Sequence, residues 1–213
     1  MRLETRAVRA ARGQVVTESP FEKGQPHVPL IDLSTTYTFE RSAAVAESMD
    51  ALIEGAGEAP NPVYARLRNP TVAGFENALA DLESAEAAVA FASGMAAITA
   101  MVLAAGSEAA PDGWARGRHI VAIRPIYGGT DHLLATGILG TEVTWAEPDE
   151  VAESLREDTC LVLLETPANP TLAMVDIAGV VSQVRATEKR FGYRIAVAVD
   201  NTFATPILQR PLE

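Results

Sequence analysis

"TCLVLLETPANPTLAMVDIAGVVSQVRATEKRFGYRIAVAVD" (residues 159–200) decides the fold. It opens on an apolar run, "TCLVLLET", that lacks the polar alternation of a half-exposed strand. It then crosses a Pro-rich loop and a helical segment, "DIAGVVSQVRATEKRFG", and closes on a second apolar strand, "RIAVAVD". Strands apolar along their whole length, joined by helices, predict a largely parallel sheet covered on both faces, an α/β fold.

Working outward, the same alternation recurs upstream. Strand-like "AAVAFA" (87–92) precedes a helix starting near Gly94; "HIVAIR" (119–124) and "TEVTWA" (141–146) read as strands, "GTDHLLATGIL" (129–139) and "DEVAESLRE" (149–157) as helices. "NPTVAGFENALADLESA" (69–85) sets Val72, Phe75, Leu79 and Leu82 on one helical face, with Thr71 as the expected cap after Pro70. The first sixty or so residues, interrupted by Pro20, Pro26, Pro29, Pro60 and Pro62, carry one helical period, "SAAVAESMDALIEG". The expected organisation is an irregular N-terminal arm over 1–62 and an α/β domain over 63–213.

Composition excludes several function classes. With 213 residues, 48% of them hydrophobic, the chain can bury a real core. A net charge of −11 without a Lys/Arg cluster argues against nucleic acid as a partner. Three scattered histidines argue against a metal site. Single Cys160, inside "CLVLL", reads as a buried thiol in a reducing compartment, and "MRLETRAVRAARG" lacks the apolar core of a signal peptide, so a cytoplasmic protein is expected. "AAVAFASGMAAITAMVLAAG" (87–106) is long enough to span a membrane, but it is Ala-rich and split by Ser93-Gly94 into a strand and a helix; no membrane association is expected.

In open α/β sheets ligands bind beyond the carboxyl ends of the strands. Four such ends stand out: Ser93-Gly94, Tyr127, Glu165 and Asp200. At "SGMAA" free backbone N–H groups and the positive end of a helix suit a phosphate, and a glycine there equally serves a tight turn. Tyr127, before two glycines, is either a ring that stacks on a flat ligand and titrates, or a core tyrosine. Asp200, in "VAVDNTFATP", is either a turn former or a functional carboxylate. In "VYARLRNP", Tyr64 and Arg66 lie two apart; in an extended segment they share a side and could grip one anion, the other reading being an exposed loop. In "ETPANPT" two prolines hold the Asn169 amide in a fixed direction. A phosphate cradle, a stacking tyrosine and a strand-end aspartate together match pyridoxal phosphate, whose ring nitrogen an aspartate keeps protonated.

"YARLRNPT", "FASGMAA", "YGGT", "ETPANPT", "VDIA" and "VDNTFATPILQRPLE" resemble, in this order, the transsulfuration enzymes of Cys/Met metabolism: cystathionine synthases and lyases and their methionine lyase relatives. The resemblance runs from about Thr35 to Glu213. It implies a fold type I, aspartate aminotransferase-like large domain holding pyridoxal 5′-phosphate and acting on a small amino-acid substrate by elimination or replacement at a C–S bond. It further implies that Gly94 and Met95 bind the phosphate, and that Tyr127 stacks on the ring and assists proton transfer. Asp200 pairs with the ring nitrogen, Thr202 lies near the ring, and Asn169 helps hold the substrate carboxylate or the ring oxygen. Tyr64 and Arg66 reach the phosphate of a neighbouring subunit in a homotetramer whose sites are shared across a dimer.

The chain departs from the family pattern in places. Its two lysines, Lys23 and Lys189, lie outside the "Ser-x-Thr-Lys" context whose lysine carries the coenzyme as a Schiff base. That context and a C-terminal domain with a substrate-binding arginine normally follow "LQRPLE". The expectation is therefore an N-terminal half of an enzyme, inactive by itself, or alternatively a non-catalytic half-domain acting as a subunit-binding module. Leu67 and Arg68 stand where many relatives have an aromatic residue and a glycine. Gly129 stands where dedicated methionine lyases tend to have a cysteine, which leans towards a cystathionine enzyme.

Overall fold

The computed structural model describes residues 2–9, 28–54, 61–108 and 110–213. The chain divides into two compact units, Met1–Ala90 and Phe91–Glu213. Helix α3 therefore belongs with the N-terminal unit, although the sequence pattern groups it with the α/β domain.

The first unit holds α1 (Leu3–Arg9), α2 (Ser42–Ile53) and α3 (Pro70–Glu83). The sequence pattern predicts α2 and α3 but gives no sign of α1, whose seven residues are too few for a period. Arg6 ties α1 to α3 through an ion pair with Asp81 at 2.8 Å. The α3 cap is Asn69, not the expected Thr71: its Oδ1 accepts from the N–H of Thr71 and Val72, with Pro70 in the first turn, where its missing N–H costs nothing. Thr71 instead accepts from the Asp32 N–H through Oγ1 at 2.8 Å. Of the expected apolar face, Leu79 and Leu82 are half-buried, and the first turn departs from it. Ala73 and Gly74 are buried, while Val72 and Phe75 are exposed.

The second unit is built on a four-stranded, all-parallel sheet of β1 (His119–Ile123), β2 (Glu142–Ala146), β3 (Thr159–Glu165) and β4 (Ala196–Asp200), in the order β2-β1-β3-β4. Central β1 and β3 are buried at every residue, which is why they read as unbroken apolar runs. The helices between are α4 (Gly94–Ala105), α5 (Gly128–Ala135), α6 (Val151–Ser154), α7 (Ile177–Phe191) and α8 (Thr205–Leu208). Helix α7 buries Val180, Val184 and Thr187 at helical spacing, starts at the Asp176 cap, and stops at Gly192, whose φ of 82° suits glycine. α6 is shorter than its sequence pattern suggests.

The segment 87–92, expected as a strand, is not one. A strand needs a ladder partner, and among the described residues it has none; Val89 and Phe91 stay exposed. The connection before β1 is pinned, since the Ala115 N–H donates to Arg194 O at 2.7 Å and Arg194 N–H to Gly113 O at 2.8 Å. Cys160 is a buried free thiol, as expected. Among the described residues no helix is long and apolar enough to cross a membrane, and no cluster of metal-ligating side chains occurs.

At the amino edge of the sheet, fully buried His119 sits between Thr159 Oγ1 at 2.7 Å and Thr144 Oγ1 at 2.8 Å. Burial, followed by the Arg156 charge, pushes its pKa below the ordinary value, against the opposing pull of Asp158 and Glu142. The unfolded chain thus takes up this proton at a higher pH than the folded one. His119 therefore favours folding above the unfolded pKa of about 6.5, and that contribution falls as pH drops below it. Urea midpoints should decline from pH 7.5 to 5.5, and less steeply in His119→Gln; equal slopes would remove His119 as the cause.

Candidate active site

In the second unit the carboxyl ends of β1, β3 and β4 gather most of the sequence-predicted residues. Parallel register sets Glu165 of β3 beside Asp200 of β4, and the Thr166 N–H donates to Asp200 O at 3.3 Å. Tyr127 follows β1 by four residues and caps α5.

Ser93 caps α4, its Oγ accepting from the Ala96 N–H at 3.2 Å. The N–H groups of Gly94 and Met95 have no partner among the described residues, and a Cβ built on Gly94 would meet nothing within 4 Å. Two open donors at the positive end of a twelve-residue helix are suited to an oxyanion. Met95 leads directly to Tyr127's neighbourhood: a Cβ on Gly129 would lie 3.2 Å from Met95 Sδ and 2.6 Å from Tyr127 Cε1. Glycine at 129 thus lets the tyrosine ring lie against the start of α5.

Tyr127 is 43% exposed, which removes the core-tyrosine reading. Its backbone N–H donates to Glu165 Oε2, and the Asn169 N–H donates to Glu165 Oε1 at 2.8 Å. Glu165 is only 3% exposed. Asn169 is half-buried, and its side-chain amide has no partner among the described residues.

Asp200 forms the strand-end turn that is one of its two sequence readings. Its Oδ1 accepts from the Thr202 N–H at 3.1 Å and from Thr202 Oγ1 at 2.5 Å, which is a strand-end turn. Oδ2 has no partner among the described residues and stays available as an acceptor. A strap follows. Gln209 Nε2 donates to Thr166 O at 2.8 Å and to Asn201 Oδ1 at 2.9 Å, while Asn201 Nδ2 donates to Gln209 O at 2.9 Å.

In the first unit, Tyr64 pairs with Thr36 in a short antiparallel bridge, and the Arg66 guanidinium lies 5.2 Å from the Tyr64 ring centroid. The two side chains are neighbours as predicted, but for another reason. The chain turns at residues 65–67 instead of running extended, and a cation–π contact brings them together.

Exposed Lys189 sits in the last turn of α7, which leads into the amino end of β4. It is thus at the opposite edge of the sheet from Asp200. Lys23 lies outside the described residues.

In the sequence Glu165 reads as a strand end without an assigned role. The available signal was a carboxylate closing a seven-residue strand otherwise made for the core.

Tyr127, Glu165 and Asp200 thus stand at the carboxyl ends of an open parallel α/β sheet, the place where this class of fold binds its ligands. The model of the Cys/Met metabolism PLP-dependent enzymes matches residues 11–213, and the chain belongs to that family. It is 49% identical over 212 residues to the L-methionine gamma-lyase of Streptomyces avermitilis, a match covering 99% of this chain and 46% of that protein. The crystal structure of cystathionine gamma lyase CalE6 from Micromonospora echinospora superposes with a TM-score of 0.71 at 33% identity, over 100% of this chain and 48% of that one. An O-acetylhomoserine (thiol)-lyase of Campylobacter jejuni, solved with an N′-pyridoxyl-lysine-5′-monophosphate, gives a TM-score of 0.75 at 25% identity, covering 100% of this chain and 47% of that one. The fold is that of the PLP-dependent Cys/Met enzymes, and the chain spans about half the length of the relatives it matches.

Proposed function

We propose that this chain forms the coenzyme-holding part of a PLP-dependent lyase or transferase that acts at a C–S bond of a sulfur amino acid. The observation that carries the reading is that one compact unit holds the open α4 amides, with Met95 beside the Tyr127 loop, exposed Tyr127 after β1, and Asp200, its Oδ2 unshared among the described residues, at the end of β4, joined through Glu165 of the β3 between them. Bound there, pyridoxal phosphate supplies an electron sink for bonds breaking at the amino acid. Gly94 and Met95 donate to the phosphate, with the α4 dipole adding to the attraction. Tyr127 offers its ring face and a hydroxyl able to move a proton. Asp200 keeps a proton on the ring nitrogen through Oδ2, while Thr202 steadies Oδ1. Asn169 turns its unpaired amide to the substrate carboxylate or the ring oxygen.

Tyr64 and Arg66 form a cationic, aromatic pair for the phosphate of a second copy in a cytoplasmic homotetramer. The methionine lyase relative at 49% identity supports methionine as substrate, whereas Gly129 leans towards cystathionine; the reaction class common to both is cleavage at the C–S bond.

The test is to incubate the 213-residue chain with pyridoxal phosphate, reduce with borohydride and map lysines by mass spectrometry, with pyridoxamine phosphate binding in parallel. The expected outcome is saturable binding without stoichiometric capture at Lys23 or Lys189, because Lys189 stands at the wrong edge of the sheet. Absence of any coenzyme binding would favour the alternative of a non-catalytic module. Stoichiometric capture at either lysine would overturn the site assignment.

A further inference from the structure

We infer that Glu165 is the positioning residue of this site, a buried carboxylate that clamps two separate loops and thereby fixes Tyr127 and Asn169 relative to each other. The role rests on geometry in one compact unit. Glu165 ends β3 with 3% exposure, and its two oxygens are divided between two backbone donors, Oε2 to the Tyr127 N–H and Oε1 to the Asn169 N–H. Those donors lie 38 residues before it and 4 residues after it. No salt-bridge partner of Glu165 occurs among the described residues. A carboxylate buried without a counter-ion must be satisfied by hydrogen bonds, so both loops are held at their amides. A glutamine has one acceptor oxygen and one NH₂ group, and so can serve only one of the two amides while facing the other with a donor.

The consequence for coenzyme binding rests on the proposed function, but the clamp itself does not. Each oxygen holds one loop amide, so Glu165 acts through Tyr127 and Asn169.

The experiment compares Glu165→Gln and Glu165→Asp with the unaltered chain by site-resolved amide exchange, and titrates each with pyridoxamine phosphate and with inorganic phosphate. In Glu165→Gln, exchange at Tyr127 or Asn169 should rise roughly ten-fold, while β1 and β3 core amides stay protected. Pyridoxamine phosphate should bind roughly ten-fold more weakly, with inorganic phosphate affinity at the α4 terminus unchanged. That split separates loss of ring positioning from general loosening. Glu165→Asp retains the charge with a shorter reach, so it should keep one amide protected and release the other. Unchanged exchange at both amides in Glu165→Gln, or loss of core protection in both variants, would overturn the inference. If the unaltered chain binds no pyridoxamine phosphate, the functional reading fails while the exchange data still decide the clamp.

Discussion

Gly117→Ala is expected to destabilise the chain by about 3 kcal/mol or more, the upper range for overpacking a tight interior. A Cβ at this position would lie 2.2 Å from Asp158 O, 2.9 Å from Asp158 C and 3.2 Å from its Cα. All three atoms are backbone, so no side-chain rotation relieves the clash. The displaced residue is also structurally committed: Asp158 precedes β3, and its carbonyl accepts from the His119 N–H at 3.2 Å, at the point where β1 and β3 shift register. Gly106 lies in the same junction, where a Cβ would meet Gly117 O at 1.9 Å and Cys160 Sγ at 2.8 Å. Moving the 117 segment away from Asp158 therefore presses it on the end of α4. For a chain of this size, 3 kcal/mol corresponds to a fall in Tm of roughly 10 °C. Gly128→Ala is the control, since a Cβ there meets nothing within 4 Å. A Gly117→Ala variant melting within about 2 °C of the unaltered chain would show that the junction yields.

None of this is visible in the sequence, where Gly117 reads as one of several loop glycines. What was legible follows from local patterns with strong physical causes. Strands β1 and β3 were readable because burial on both faces demands continuous apolar residues. The carboxyl-end rule points to Tyr127, Glu165 and Asp200, which do follow or close β1, β3 and β4. Several of the departures concern partners. "AAVAFA" has strand composition, but composition cannot supply the neighbouring strand that makes a ladder. Val72 and Phe75 have helical spacing, yet spacing does not say which face is covered. Tyr64 and Arg66 are neighbours through a turn and a cation–π contact, not through an extended backbone. Glu165 stands out as a strand end, but its role is illegible because it lies in an amide 38 residues away.

Asp200→Asn is expected to separate the two roles that this one side chain combines. Asparagine retains an Oδ1 acceptor, so the turn through the Thr202 N–H and hydroxyl persists and β4 should end as before. Pairing with β3 through Leu161 to Glu165 depends on backbone groups and is untouched. Thermal stability should therefore change little. The negative charge at Oδ2, in contrast, is lost, and on the proposed reading that charge is what favours a protonated ring nitrogen. Losing a charge-assisted hydrogen bond of about 2 kcal/mol weakens pyridoxamine phosphate binding by roughly 30-fold. Inorganic phosphate, held by Gly94 and Met95, should bind as before, since the substitution alters neither the α4 amides nor the Ser93 cap. Thr202→Val gives the reciprocal case, removing the hydroxyl bond at Oδ1 while leaving the charge, and should reduce binding far less than Asp200→Asn does. If Asp200→Asn instead binds pyridoxamine phosphate like the unaltered chain, Asp200 serves only to turn the chain. The carboxylate at the end of β4 then has no part in holding a coenzyme, even in a chain whose family depends on one.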